Sequence, residues 1–341
     1  MNRPRFGIQR LGWLGALLVG AALGAAETRH DLGLSVNLSG QGQVMGSKTP
    51  VRSGFYRSED RQNFTHVGFS HIRFYTVVPD LLERDGLYMT MLDGVAHSKD
   101  RGRTWRLLND WRSTEAKGIA IDPNAPTDIY VGLPDGIMVS RDRGETWNRM
   151  QQGLPPVRRY TNAIAVDRTT AGRVVAGTET GIYLTEDGAR SWRRVQATEK
   201  VTYDIRQSPH DPALFLAANS GGGLFISRDG ARTWQRAEGV PVGRTLHTCD
   251  FDVRVPGRML VCGWNAGLLV SEDGGKTWTD RTAGLPNAQV WAARFDPDAA
   301  GHIIAAPYLK PLFASDDVGR SWRAIAFEKA NVFDIFFLPR R

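Results

Sequence analysis

The sequence predicts an all-β fold, a closed ring of four-stranded antiparallel units. Three observations carry that reading. The first is a repeated turn, Ser-x-Asp-x-Gly-x-Thr-Trp, complete at 98–105, 140–147 and 271–278 and present with Ser for Thr at 315–322. Copies at 185–192 and 227–234 keep the Asp and the Trp, but Gly sits one place early and Ala189 or Ala231 takes its expected position. Ser58, Asp60 and Phe64 form a decayed seventh copy. The second is the spacing: successive copies start 40, 42, 45, 42, 44 and 44 residues apart, a period that marks a repeat architecture. The third is the content of each period, several short apolar runs separated by turn residues, which suits one blade of a β-propeller.

Taken in order, the chain begins with a basic segment (Arg3, Arg5, Arg10), an apolar run over 11–25 and a small-residue cleavage pattern ending at Ala26. Residues 1–26 therefore read as a secretory signal peptide, and 27–341 as a single propeller domain in the periplasm or outside the cell. No later apolar run is long enough to span a bilayer. The early domain offers strands near 34–45, 53–57 and 64–67. Six regular units follow, and one strand, 332–338, is left over. It has the rhythm of a first strand, the one element the N-terminal segment lacks. Joining the two ends gives seven blades and a ring without open edges; six blades with loose ends is the alternative.

The turn itself is structural chemistry. An Asp side chain accepts hydrogen bonds from its own turn, Gly supplies the tight backbone, and Trp enters the next strand to pack between sheets. Asp100, Asp142, Asp187, Asp229, Asp273 and Asp317, spread round a ring, are read as fold elements and not as one active site.

Composition narrows the function. The formal charge is +7, and removing residues 1–26 takes away three Arg and no acid, leaving +4. That mild excess favours an anionic partner and, with no basic motif, speaks against nucleic acid. No Cys/His cluster has metal-ligand spacing, and no cofactor motif is present. Cys249 and Cys262 lie on consecutive strands joined near 255–257, where export would allow a cross-strand disulfide.

Strand order puts all the Asp turns on one face. The opposite face carries longer loops, and there the sequence places Trp111, Arg112, Arg158, Arg159, Tyr160, Arg244, His247, Trp264, Trp291, Tyr308 and Lys310. Arg158–Arg159–Tyr160 is the strongest local feature, suited to an anion or a protein surface. Alternation along the first strands also brings Asp204, Arg206, Asp250, Arg294 and Asp334 toward the central channel. These are either ion pairs linking blades or a polar pocket with candidate catalytic carboxyls.

The turn resembles the Asp-box, or bacterial neuraminidase repeat, over nearly all of 58–322. That family includes sialidases, xyloglucan-active glycosidases, sorting-receptor ectodomains and the photosystem II assembly factor. His71-Ile72-Arg73-Phe74 stands where a sialidase would show Arg-Ile-Pro. Blades such as Gly118-Ile119-Ala120-Ile121-Asp122-Pro123 are similar to those of xyloglucan-active enzymes, which use two propellers where this chain has one. The single exported propeller is most like the assembly factor in plan, without its Gly-Trp-x-Val-Gly wording. The resemblance implies a non-catalytic scaffold that binds a protein partner or complex through the face opposite the Asp turns. The alternative is a glycoside hydrolase or carbohydrate-binding propeller acting on an exported glycan.

Overall fold

The computed structural model describes residues 29–38, 53–70, 73–110 and 112–340. Their regular structure is all β, in 27 strands. The segment read as a signal peptide, part of the predicted early strands, and Trp111 lie outside the described residues. Among the described residues no helix is long and apolar enough to cross a membrane.

One blade shows how the sequence builds the unit. Strands Thr161–Val166, Val174–Thr178, Gly181–Thr185 and Arg193–Ala197 pair antiparallel in chain order. The two middle strands are buried along their whole length, because each blade is sandwiched between two others. That is why they read as continuous apolar runs and not as alternating ones. The fourth strand is at the rim and largely exposed.

Hydrogen bonding runs through six sheets, five of four strands and one of seven. Counted as sheets, this is the six-fold alternative. The seven-stranded sheet contains two four-stranded units that share Arg323–Pro339. The first half of that strand pairs with Lys310–Ser315 (Phe313 with Ala324) and the second half with His30–Asn37 (Leu34 with Ile335). The expected C-terminal strand thus exists and joins the N-terminal strands, but it is continuous with the fourth strand before it. Ring closure is seen in the packing. Leu338 and Phe336 at one end of the shared strand pack on Phe74, Val77 and Met89 of the first regular blade, while Ile335 packs with Ala292 and Ile304 of the last. Among the described residues, seven apolar clusters fill seven junctions between four-stranded units.

The Asp turns are built as their chemistry requires. Asp100 accepts from the Ser98 hydroxyl (2.8 Å), the Thr104 amide (2.8 Å) and the Thr104 hydroxyl (2.6 Å). The Gly102 amide donates to Ser98 Oγ at 2.8 Å. The same bonds recur at Asp142, Asp187, Asp229, Asp273 and Asp317. The decayed copy keeps the design, with Asn63 Nδ2 donating to Asp60 in place of a hydroxyl (2.7 Å). Ala189 and Ala231 adopt φ of 70° and 66°, a left-handed backbone that costs a side-chain-bearing residue about 1–2 kcal/mol. Both are fully buried, so the smallest side chain is the one that fits. The closing Trp residues staple blades together: Trp147, Trp192 and Trp322 donate to the carbonyls of Leu108, Met150 and Arg281 in the preceding blade.

The disulfide allowed by the sequence is not made. Cys249 stands opposite Val261 and Cys262 opposite Thr248, one residue out of step. Side chains alternate along a strand, so the two thiols point to opposite faces of their sheet. Cys249 packs in the cluster toward the preceding blade, Cys262 in the cluster toward the next, and both are free.

Candidate functional site

The first strand of a blade starts at the face opposite the Asp turns, and near that start most first strands carry a bulge. The register breaks between Phe74 and Thr76, Thr161 and Ala163, Thr202 and Asp204, Leu246 and Thr248, and Val290 and Ala292. The closing strand does the same beside Phe333. A bulge leaves one residue outside the ladder and re-aims its side chain. The residues so released are Tyr75, Asn162, Tyr203, His247, Trp291 and Phe333, and Lys117 occupies the equivalent place in the remaining blade. All are half-buried and together ring one mouth of the channel.

On one side these residues form a continuous aromatic surface. Tyr203 meets His247 edge-on at 5.1 Å between centroids, His247 lies 4.4 Å from Trp291, and Trp291 lies 5.8 Å from Phe333. Two aromatics at the ends of second strands and the turns after them complete it: Trp264 stands perpendicular to Trp291 at 6.1 Å, and Tyr308 is 5.0 Å from Trp264. Opposite, Lys117 Nζ sits 3.7 Å from the centre of the Tyr75 ring. Burial lowers the pKa of Lys117 and pushes His247 down to about 4, so the imidazole is neutral at pH 7. Its Nδ1 is buried and has no hydrogen-bond partner among the described residues. Burial likewise raises Tyr75 and Tyr203.

Below the collar the five charged residues named from the sequence do meet. Arg294 donates to Asp204 (2.8 Å), to the Cys249 carbonyl (2.9 Å) and to Asp334 (3.3 Å), tying four consecutive blades together. Arg206 pairs with Asp204 at 3.1 Å. Asp204 also accepts from the Cys249 amide, and Asp250 from the Phe295 amide, each across a blade junction. Burial pushes the Asp204 carboxyl up, but Arg206 and Arg294 outweigh it and hold the group below its ordinary value. For Asp250 burial wins over the same two arginines, and its pKa is raised.

The basic residues are distributed differently. Arg159 Nε donates to the Asp135 carbonyl at 2.7 Å, Arg158 is 3.9 Å from Glu179, and Tyr160 donates to Asn162 at 3.2 Å. Arg112 pairs with Asp110 at 3.3 Å, while Arg244 and Lys310 are exposed. The Arg158–Arg159–Tyr160 stretch is thus partly held by its own loops. His247, Trp264, Trp291 and Tyr308 come together. Tyr203 and Phe333, missing from the sequence-based set, complete the surface. Their signal was there: Tyr203, His247, Trp291 and Phe333 follow one another at 44, 44 and 42 residues, the period of the repeat.

No protein-family model matches the sequence, and no curated protein matches it. Solved structures do match in fold. A GH74 enzyme of Niastella koreensis aligns with TM-score 0.68 and 16% identity, over 80% of this chain and 51% of that one. The GH74 xyloglucanase of Xanthomonas campestris aligns with TM-score 0.63 and 19% identity, over 85% and 52%. YCF48 bound to a D1 peptide aligns with TM-score 0.56 and 16% identity, over 74% and 82%. The chain spans about half the length of the GH74 structures it matches. At these identities the likeness establishes the class, a β-propeller of repeated four-stranded blades.

Proposed function

We propose that this chain is an extracytoplasmic glycan-binding propeller, with residues 1–26 a signal peptide, 27–341 one domain and the repeated turns Asp-boxes. The observation that carries the reading is the half-buried surface of Tyr203, His247, Trp264, Trp291, Tyr308 and Phe333 at the channel mouth. Rigid aromatic faces that remain partly wet suit the apolar C–H faces of sugars, with polar ring edges left for hydroxyl groups. The likeness to GH74 enzymes, one of them a xyloglucanase, supports a β-linked glycan as the ligand class. Binding is the activity proposed. Asp204 and Asp334 are engaged by Arg294, which supports a role in joining blades over a role as a catalytic pair.

Calorimetric titration with xyloglucan, cello- and xylo-oligosaccharides tests this. The reading predicts saturable binding to at least one of them, lost in Trp291→Ala, with reducing ends assayed in parallel for turnover. A flat titration with all three would contradict it.

A second reading is a protein scaffold using the same face. It is favoured by the match to YCF48, which covers 82% of that chain and was obtained with a peptide bound. Capture of a defined exported protein complex, lost in Trp291→Ala while every glycan fails to bind, would establish it instead.

A further inference from the structure

We infer that a cavity beside the collar takes the carboxylate of an acidic sugar side group, so that the glycan is a uronate-bearing one; this rests on the glycan reading. The cavity, of 380 Å³, lies between the blades at 161–197 and 202–236, and Lys200, Arg236, Glu199, Asn219, Gly221 and Phe225 are among its lining residues. Small-ligand sites begin at about 300 Å³.

Its charge is uncommitted. Among the described residues, no acid lies within ion-pairing distance of Lys200 or Arg236, although most arginines of this protein have such a partner or a carbonyl. Glu199, on the same wall, pairs with neither. Arg236 instead lies over the Phe225 ring, 5.9 Å from its centre. An apolar floor beside two cations matches a sugar that presents a C–H face and a carboxylate, and Arg offers that carboxylate a two-pronged bond.

The backbone keeps the space open. The turn here has three residues, Ser220 to Gly222, between Phe215–Asn219 and Gly223–Ser227, whereas the corresponding turns at 92–93, 134–135, 179–180, 265–266 and 308–309 have two. A Cβ at Gly221 would stand 3.4 Å from Lys200 Cδ, and this glycine has a left-handed φ of 81°. A side chain at Gly221 would stand inside the cavity against the Lys200 stem.

Hydrogen bonds tie the lining of the cavity to the strands that carry the collar. Asn219 Nδ2 donates to Thr202 Oγ1 at 3.1 Å, one residue from Tyr203. Ser220 bridges to Thr245, two residues from His247, and the Gly221 amide donates to the Arg244 carbonyl at 2.7 Å. A main chain stacked on the collar therefore has the cavity within reach of a single side group.

The test compares a xylo-oligosaccharide carrying one glucuronate with the same oligosaccharide without it, titrated into the full chain. The inference predicts about tenfold tighter binding of the acidic form at low salt, the scale of a charge-assisted bond, and a preference that shrinks as salt rises. Lys200→Ala/Arg236→Ala should bind both forms with the wild-type affinity for the neutral one. Trp291→Ala should weaken both forms together. Equal affinity for the two forms, or a preference that survives the double substitution, overturns this inference and leaves the glycan reading standing. Binding of neither form overturns it as well, and the glycan reading falls with it only if the wider panel is also flat.

Discussion

His247 and Trp291 lie 4.4 Å apart, centroid to centroid, although they are 44 residues apart in sequence and belong to neighbouring blades. Each is the residue that a bulge expels from its own first strand. The contact is therefore made by the repeat itself: one column of the repeat, filled by Tyr203, His247, Trp291 and Phe333, becomes one surface at the channel mouth.

That contact gives His247 a distinct titration. Burial lowers its pKa from 6.5 to about 4. Between those values the unfolded chain binds a proton that the folded chain does not, so stability falls as pH drops through the window. The contribution is whole above pH 6.5 and lost by about pH 4, a change of at most about 3 kcal/mol. NMR titration of the imidazole should place its midpoint near 4; a midpoint near 6.5 would mean the ring is solvated and the collar open.

Arg294 should be the most sensitive single position in the channel. It is 6% exposed and bonds Asp204, Asp334 and the Cys249 carbonyl. Arg294→Leu takes from Asp334 its cation and leaves Asp204 with Arg206 alone in a buried setting, a loss of about 3–5 kcal/mol. Urea unfolding measures it. A change below about 1 kcal/mol would show the cluster to be solvated, and would reopen Asp204, Asp250 and Asp334 as a working pocket.

The cysteines should be unreactive thiols. Both are fully buried and burial raises their pKa, Cys262 to about 12. A thiol reagent should label neither in the folded protein and both after denaturation, and reductant should leave the melting temperature unchanged. A reductant-dependent melting temperature would contradict the register of these strands.

Asp100→Ala tests the division between fold and function. It removes three accepted hydrogen bonds from one turn and should cost about 2 kcal/mol. Oligosaccharide affinity should stay at the wild-type value, because the turn lies on the opposite face.

The repeat was fully legible because its chemistry is local: Ser, Asp, Gly, Thr and Trp act within eight positions, and each blade repeats them. The charged channel cluster was legible too, since period-two alternation placed Asp204, Asp250, Arg294 and Asp334 on the inner strands. The disulfide was misjudged because pairing about a turn locates strands but not register, and a one-residue offset sends side chains to opposite faces. The collar was half-read. Trp264, Trp291, Tyr308 and His247 were legible as a group, and they do come together, but the bulges that re-aim Tyr203 and Phe333 leave no mark within a single blade. They emerge only when blades are compared. Arg158 and Arg159 are partly held by the Glu199 and Asp135 carbonyls, bonds that come from segments distant in sequence and leave no mark in the local stretch.

The central claim is that the aromatic surface around Trp291 holds a sugar chain. The most direct measurement is a crystal structure of the full chain soaked with the tightest-binding oligosaccharide of the panel. The account predicts sugar rings stacked on Trp264, Trp291 or Tyr308 at the channel mouth. A sugar bound on the Asp-turn face, or at the rim away from these rings, would contradict it.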